Sequence, residues 1–195
     1  MALPYARTYN EAILFIRLRP CGCGEMEAHW EDVPVPVTGP PLRYFTGECV
    51  GCGRLREFTI AMPDTAARRD DVVYGDGDEP SQVIDPGEWL GVSDLYGQRA
   101  EEVLTDENFG EPEDIGEVYY ALAARVSALD EILKFMPANA DIMPEWLCRS
   151  ITGRAVFEAN PNRFSRDALL AERAALQANL DRFVKDHTTD HTSDG

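Results

Sequence analysis

The regular spacing of apolar residues along the second half of the chain predicts α-helices. From Ile115 to Met136 the apolar residues recur every three or four positions, and Pro137 follows, so we expect one long helix over about 113–135. Shorter patterns of the same kind predict two short helices and a longer final one. These cover about 144–150, 153–159 and 165–184.

A further helix is marked by the residues that cap its start. Asp85 takes the N-cap position, Pro86 the first helical position and Glu88 the third, which is the arrangement of a capping box. After them, apolar residues at helical spacing form one predicted buried stripe. Its members are Trp89, Val92, Tyr96, Ala100 and Val103.

The first third of the chain alternates apolar and polar residues in the manner of β-strands. Residues 42–48 and 55–62 show this pattern, so we expect two strands there. Residues 26–37 alternate as well, but two prolines interrupt them. Because proline cannot donate a ladder hydrogen bond, this segment is predicted to be an edge strand or an extended rim. The apolar run within 9–18 is too short to distinguish a helix from a strand.

Four cysteines in this first third have the spacing of a metal site. Cys21 and Cys23 stand in CGCG, and Cys49 and Cys52 stand in CVGCG, with a glycine directly after each pair. Two such knuckles clamped on one tetrahedral Zn²⁺ make a zinc ribbon, and a site with four cysteine ligands is closed and therefore structural. We expect one Zn²⁺ per chain as the cofactor. His29 is an alternative ligand in place of one sulfur.

Together these patterns predict an α+β protein. A small antiparallel zinc-ribbon β subdomain over 1–65 precedes a mostly helical region of about four to five helices over 85–186. The polar segment 66–84 between them is predicted to be an acidic linker. The end of the chain, 187–195, lacks apolar residues and is predicted to be a disordered tail.

The negative charge of the chain is concentrated in its middle. The net charge is −17, and residues 71–145 contain nineteen acidic and three basic residues. Such a field repels nucleic acid and anionic membranes and attracts basic protein surfaces, so we expect a basic protein as the partner. The alternative is a solvated acidic surface that serves only solubility. The residues predicted to form the charged rim of a binding surface are Glu88, Asp94, Glu101, Glu102, Asp106 and Glu107.

Other metal-binding or reactive residue types form no recognisable motif. Residues 75–79 place acidic side chains at alternate positions as a calcium loop does, but the later ligand positions hold other residue types. His187 and His191 are four residues apart in a polar tail, where we interpret the spacing as coincidence. Cys148 lies between apolar neighbours and is predicted to be buried and inert. The sequence contains no phosphate-binding loop, dinucleotide fingerprint or paired nucleophile and base.

The cellular compartment is predicted from the N-terminus and from cysteine usage. The first twenty residues do not have the composition of a signal peptide, and no apolar run is long enough for a membrane helix. Cysteines with the spacing of a metal site indicate a protein of a reducing compartment, whereas a disulfide-stabilised protein would indicate an oxidising one. We therefore expect a cytoplasmic protein with no membrane partner.

Four segments follow one another along about residues 10–186: LRPCGCGE, GECVGCGRLREFTI, EPSQVIDPGEWL and SITGRAVFEANPNRF. This succession resembles a group of largely uncharacterised actinobacterial proteins with a zinc-ribbon-like N-terminus and a helical C-terminal region. Proteins of this kind are often suspected of being immunity or accessory proteins of polymorphic toxin systems. The resemblance therefore implies inhibition by binding, without catalysis. The CGCG knuckle departs from the expected CPxCG pattern, which leaves the geometry of that knuckle open.

Three hypotheses for function follow. The first is a non-enzymatic acidic binding protein that neutralises a basic protein partner, such as a cognate toxin that acts on nucleic acid. The second is a zinc-ribbon adaptor or transcription-type regulator, and the third is an enzyme that depends on carboxylates alone. The second hypothesis depends on a set of arginines around the ribbon. These are Arg43, Arg54, Arg56, Arg68 and Arg69.

Overall fold

The computed structural model describes residues 3–37, 39, 41–63, 72–75 and 77–188. The chain divides into two compact units, Met1–Ile84 and Asp85–Gly195. A three-stranded antiparallel sheet lies in the first unit and the longer helices lie in the second, so the predicted α+β class is confirmed.

The first unit begins with helix α1 (Tyr9–Arg17), which settles the ambiguity of residues 9–18 in favour of a helix. The Thr8 side chain caps it by accepting a hydrogen bond from the backbone N–H of Glu11, 3.1 Å away. Three strands follow in the order β1 (Ala28–Val35), β2 (Leu42–Cys49) and β3 (Leu55–Ala61).

Strand β1 lies at one edge of the sheet, as Pro34 within it favours, because a central strand needs every backbone donor. Strand β2 pairs with both neighbours, and Phe45 on it is fully buried. The Phe45 ring lies 6.0 Å from the ring of Tyr9 on α1, and Ile16 of α1 and Ile60 of β3 are fully buried as well. The core of the first unit therefore contains apolar residues from helix α1 and from the sheet.

Among the described residues of the first unit, the charged residues Glu11 and Arg56 are buried and have partners. Glu11 is inaccessible to solvent and forms an ion pair with Arg7, with 2.6 Å between the Arg7 Nη2 and Glu11 Oε1 atoms. Arg56 on β3 is 7% exposed, and its guanidinium donates to the backbone carbonyls of Met26, Ile16 and Arg19. A buried charge is tolerated when it is hydrogen-bonded in this way.

The described part of the predicted linker belongs to the first unit. Tyr74 is 2% exposed, and its carbonyl accepts a 2.8 Å hydrogen bond from the Thr8 hydroxyl. Further along, the carbonyl of Val83 accepts a hydrogen bond from the Arg19 guanidinium at 3.1 Å. The segment is therefore hydrogen-bonded at Tyr74 and Val83 to residues that flank helix α1, while 77–80 are exposed and 64–71 and 76 lie outside the described residues.

The second unit consists of helices joined by short connections. The helices are α2 (Pro86–Leu104), α3 (Pro112–Lys134), α4 (Ile151–Ala159) and α5 (Arg166–Thr188), with 3₁₀ turns at Glu145–Leu147 and Pro161–Phe164. Each predicted helix is present, and the segment predicted over 144–150 is reduced to a single 3₁₀ turn. Helix α5 includes the first two residues of the predicted tail, and 189–195 lie outside the described residues.

Asp85 connects the starts of α2 and α4. The predicted capping box is confirmed, since Asp85 Oδ1 accepts from the Glu88 N–H at 3.0 Å and Glu88 Oε2 accepts from the Asp85 N–H at 3.1 Å. The other oxygen of Asp85 accepts from the N–H of Ser150 at 2.6 Å, and Ser150 is the N-cap of α4. Gly87 lies directly against the backbone of Gly153, so a Cβ on Gly87 would clash with that backbone. A Cβ on Gly153 would clash with the carboxylate of Asp85.

The apolar core of the second unit lies between α2, α3 and α5. Helices α2 and α3 form a hairpin, and one cluster of buried residues joins them to α5. This packing follows the helical periodicity of the sequence, because the apolar stripe of α3 packs against both α2 and α5. The cluster contains Ala100, Val103, Val118, Ala121, Leu122 and Phe183.

Candidate metal centre and acidic surface

The sulfur atoms of the four cysteines lie close to one another. All four lie within 4.8 Å, and the Sγ atoms of Cys21 and Cys52 are 3.6 Å apart, as are those of Cys23 and Cys49. Metal–sulfur bonds of about 2.3 Å in a tetrahedron place neighbouring sulfurs about 3.8 Å apart, whereas a disulfide requires about 2.05 Å. The four cysteines that the sequence predicted as ligands therefore can hold one metal ion.

Two tight turns bring the sulfurs together. In the first, the carbonyl of Cys21 accepts from the N–H of Gly24 at 2.8 Å, and in the second the carbonyl of Cys49 accepts from the N–H of Gly53 at 2.9 Å. Gly24 has φ of 94° and Gly53 has φ of 69°, a region that residues with a Cβ rarely adopt. The glycine that follows each cysteine pair is therefore needed for the turn, and the shorter CGCG spacing still forms a knuckle.

The sheet holds the two knuckles in register. Cys49 is the last residue of β2 and is paired with Ala28, the first residue of β1, so the first knuckle approaches the second as β1 begins. The N–H of Cys49 donates to the backbone carbonyl of Arg54 at 3.0 Å, across the turn between β2 and β3. Within each pair the first cysteine is buried and the second is exposed.

The thiols of the cluster affect one another's ionisation. A hydrogen bond from the backbone N–H of Cys23, together with those from nearby thiols, lowers the pKa of Cys21 to about 6. The N–H of Arg54 also favours the thiolate of Cys52, but hydrogen bonds with Cys23 and Cys21 together with desolvation outweigh it and raise the pKa of Cys52 to about 12. Four adjacent thiolates repel one another, and a bound cation allows all of them to ionise.

The alternative ligand His29 is not needed. It lies on β1 and is exposed, and among the described residues the group of side chains able to hold a metal consists of the four cysteines alone.

Of the six acidic residues predicted for a binding rim, four are exposed on the helical unit. Glu88 does not belong with them: it is 5% exposed because it completes the capping box of α2, so its prediction as a surface residue is wrong. Asp94 is only partly exposed and forms a bidentate ion pair with Arg163, with both N–O distances 2.8 Å. The four exposed residues are Glu101, Glu102, Asp106 and Glu107.

The hairpin of α2 and α3 extends this acidic surface beyond the predicted residues. Eight acidic side chains lie between residues 101 and 117, at the end of α2, in the connection and at the start of α3, and we call this group the acidic tip. Arg99 is the only basic residue between 99 and 117 in the sequence. Its guanidinium donates hydrogen bonds to the carboxylates of Glu117 at 2.6 Å and Glu102 at 3.3 Å. The members that the prediction omitted are Glu111, Glu113, Asp114 and Glu117.

Of the five arginines that suggested a nucleic-acid surface, two contact other groups of the first unit and Arg54 is exposed. Arg56 is buried, as described above, and Arg43 forms an ion pair with Asp32 on the neighbouring strand. Arg68 and Arg69 lie outside the described residues. The structure therefore lends no support to the adaptor hypothesis from this group of charges.

The remaining residues that the sequence offered as candidates for metal binding or reactivity are those of the cysteine, histidine and calcium-like patterns outside the ribbon. Cys148 is buried, as predicted, and burial, reinforced by the charge of Asp85, raises the pKa of its thiol to about 11, which makes the thiol a poor nucleophile. The ring of His187 stacks on Phe183 with 4.2 Å between the ring centroids. Asp76 of the calcium-like segment and His191 lie outside the described residues.

Comparison with known proteins gives no relative from which a function could be transferred. No protein-family model matches the chain, and neither the curated proteins nor the solved structures contain a match. Within the described residues, none of the helices has both the length and the apolar character needed to cross a membrane.

Proposed function

We propose that this protein is a non-enzymatic binding protein that holds a basic protein partner on its acidic tip, with a structural Zn²⁺ in the first unit. The observation that carries the proposal is the density of carboxylates over residues 101–117, which contain eight acidic side chains, seven of them exposed, and no basic one. Charges of one sign that are this close together create a field that attracts a complementary surface.

The charge of the acidic tip is largely available to a partner. Within the described residues, the side chains of Glu101, Glu107 and Glu113 form no ion pair or hydrogen bond, so a partner would not have to break an internal contact to reach them. Complementary charge accelerates association and favours correct partners, and rim charges of this kind contribute more to the rate and the specificity than to the affinity.

The chemistry of the surface indicates the class of partner. Proteins that act on nucleic acid have a cationic cleft for the phosphate backbone, and an array of carboxylates complements such a cleft. A toxin that acts on nucleic acid, the partner implied by the resemblance described above, is one such protein. Inhibition would then result from occupation of the cleft, and the bound protein would supply no chemistry of its own.

Zinc is the metal we propose for the four-cysteine site. Four thiolates in a tetrahedral arrangement favour Zn²⁺ over the harder divalent cations, which prefer oxygen ligands. Because all four positions are taken by the protein, the metal would stabilise the fold and would not activate water. Elemental analysis of the purified chain is expected to give one zinc per chain, and a stoichiometry near zero would contradict the assignment.

The binding proposal can be tested by neutralising the acidic tip. The test variant carries Gln in place of Glu102, Glu107, Glu111 and Glu113, and its binding to immobilised cytochrome c, a basic protein used as the probe, is compared with wild type. We expect at least about a tenfold loss of affinity at low salt and a smaller dependence of binding on salt, because charged pairs at an interface are screened.

The matched control removes the same number of charges elsewhere on the helical unit. It carries Asp141→Asn, Glu145→Gln, Glu158→Gln and Asp167→Asn, all at exposed positions outside the tip. Both variants have the same net charge, so a general charge effect would weaken binding equally in the two. Equal binding by the two variants would therefore overturn the proposal.

A further inference from the structure

A cleft of about 510 Å³ opens between α2, α3 and α5 in the helical unit. Leu104, Leu122 and Phe183 form part of its apolar wall, and Arg125 lies among them. Volumes of about 300–1,000 Å³, mostly apolar with a few polar groups that converge, are typical of sites for small molecules. The cleft belongs to the second unit, whereas the cysteine cluster belongs to the first, and the inference drawn from it does not depend on the function proposed above.

Arg125 is the unusual residue of this cleft. Its Nε atom is shielded from solvent and has no hydrogen-bond partner, and within the described residues its guanidinium takes part in no ion pair or hydrogen bond. Every other arginine discussed here for the helical unit has a partner, for example Arg163 with Asp94 and Arg173 with Asp130. A shielded Nε–H without an acceptor is unfavourable, and an anionic ligand in the cleft would supply the acceptor.

The position of Arg125 is made by a glycine on the facing helix. A Cβ on Gly97 would lie 2.9 Å from Arg125 Cζ and 3.1 Å from its Nε, so the guanidinium rests directly against the backbone of α2. Glycine weakens the interior of a helix, but here it leaves room for a cation at the wall of the cleft.

The other polar groups of the cleft are less constrained than Arg125. Arg182 donates to Asn179 at 3.1 Å, and Nδ1 of His187 lies 2.8 Å from the carbonyl of Phe183. Glu101 and Asp186 also line the cleft, but they are exposed, so water can satisfy their charge. The unmet requirement in the cleft is therefore for an acceptor at Arg125.

We propose that this cleft binds a small organic carboxylate, with the carboxylate on the guanidinium of Arg125 and an apolar body against Leu122 and Phe183. A planar guanidinium matches a carboxylate in geometry and can donate two parallel hydrogen bonds to it. The apolar wall would contribute by removing the body of the ligand from water.

The proposal is tested with 1-naphthoate as the probe and the full chain as the receptor. Its binding is measured by fluorescence titration and compared with that of 1-naphthylmethanol, which has the same apolar body and no charge. We expect saturable binding in which the carboxylate binds at least about tenfold more tightly, as a charge-assisted hydrogen bond provides. The NMR signal of the Arg125 Nε–H is expected to shift during the titration.

Two substitutions separate a binding role of the site from a structural one. Arg125→Gln should lower the affinity for 1-naphthoate about tenfold or more, while Arg154→Gln, at an exposed position on α4, should leave it unchanged. Gly97→Ala should lower the affinity because the new Cβ displaces the guanidinium, and yet should raise the melting temperature because alanine favours the helix. Binding and stability are thus expected to change in opposite directions.

Three results would overturn the proposal. One is equal affinity for the carboxylate and the alcohol, and another is unchanged affinity in the Arg125→Gln variant. The third concerns the acidic residues Asp190 and Asp194, which lie outside the described residues. If 1-naphthoate binds the double variant Asp190→Asn, Asp194→Asn but not the wild type, the cleft serves the chain's own carboxylates and not a free ligand.

Discussion

The two units of this chain achieve stability by different means. The first contains a three-stranded sheet, one nine-residue helix and a cluster of four cysteines, and it buries Glu11 and Arg56. The second contains two helices of 23 residues and one of 19, joined by an apolar cluster. Long amphipathic helices provide a continuous apolar face, which three strands of seven or eight residues do not.

This difference indicates where each unit is vulnerable. A small β unit has limited apolar area and relies on additional links, here a cysteine cluster that can hold a metal ion and hydrogen bonds from a buried cation. The helical unit relies on close packing of its helix backbones. Its stability should therefore depend more on the volume of the side chains between the helices than on their charge. Three predictions, in order of decreasing effect, test this comparison.

The largest effect is expected from the metal centre. Removal of the metal by a chelator, or the substitution Cys49→Ser, should unfold the first unit, because structural zinc sites supply about 10 kcal/mol of folding free energy. The amide signals of β2 and β3 in an NMR spectrum should collapse, while the helical circular dichroism of α2, α3 and α5 should persist.

The fifth cysteine provides the control for this experiment. Cys148 is buried in the helical unit, and Cys148→Ala should leave the sheet signals in place. Returning Zn²⁺ to the chelated wild type should restore the sheet, whereas the Cys49→Ser variant should recover only in part. A sheet that keeps its dispersed signals after chelation would mean that the cysteine cluster contributes little to the fold.

The second effect concerns the buried cation of the first unit. Arg56→Met should lower the free energy of unfolding of that unit by about 3 kcal/mol, because it leaves buried carbonyl groups without a donor. It also removes the stacking of the guanidinium on Trp30, at 4.9 Å, and on Phe58, at 5.8 Å. Denaturant unfolding followed by the tryptophan fluorescence of the first unit measures the loss.

The control for Arg56 is an arginine of the same unit that remains accessible. Arg17 on α1 is exposed and its partner Glu27 is exposed too, with 3.8 Å between their charged atoms, so Arg17→Met should change the free energy of unfolding by less than about 1 kcal/mol. Similar losses in the two variants would indicate that the general charge of the unit matters, and not the burial of Arg56.

Local signals in the sequence predicted much of this architecture. The capping box at Asp85 and Glu88 involves residues three apart, and the stripe of α3 repeats every three or four residues, so both can be read without knowledge of the fold. The cysteine knuckles are equally local, because each needs only a short turn and a glycine. These elements were therefore predicted with boundaries within a few residues of those observed.

Contacts between distant residues could not be predicted in this way. Arg56 was interpreted as a surface charge, but its acceptors are 30 to 40 residues away in the sequence. Glu88 was assigned to a binding rim because acidic residues are usually exposed, although its own capping role buries it. The partnerless guanidinium of Arg125 is visible only once α2 and α3 are packed together.

The smallest predicted effect concerns backbone packing in the helical unit and uses two glycines. Gly87 lies against the carbonyl of Gly153, so Gly87→Ala must separate α2 from α4 and should lower the free energy of unfolding by about 1–3 kcal/mol. Gly116 on α3 has no atom near its Cβ position, so Gly116→Ala should raise it by up to about 1 kcal/mol. Melting temperatures that change in opposite directions would show that the steric clash at the Gly87–Gly153 contact outweighs the higher helix propensity of alanine. A shared increase would mean that the two helices separate at little cost, and the helical unit would then be less dependent on close packing than its comparison with the metal-centred unit implies.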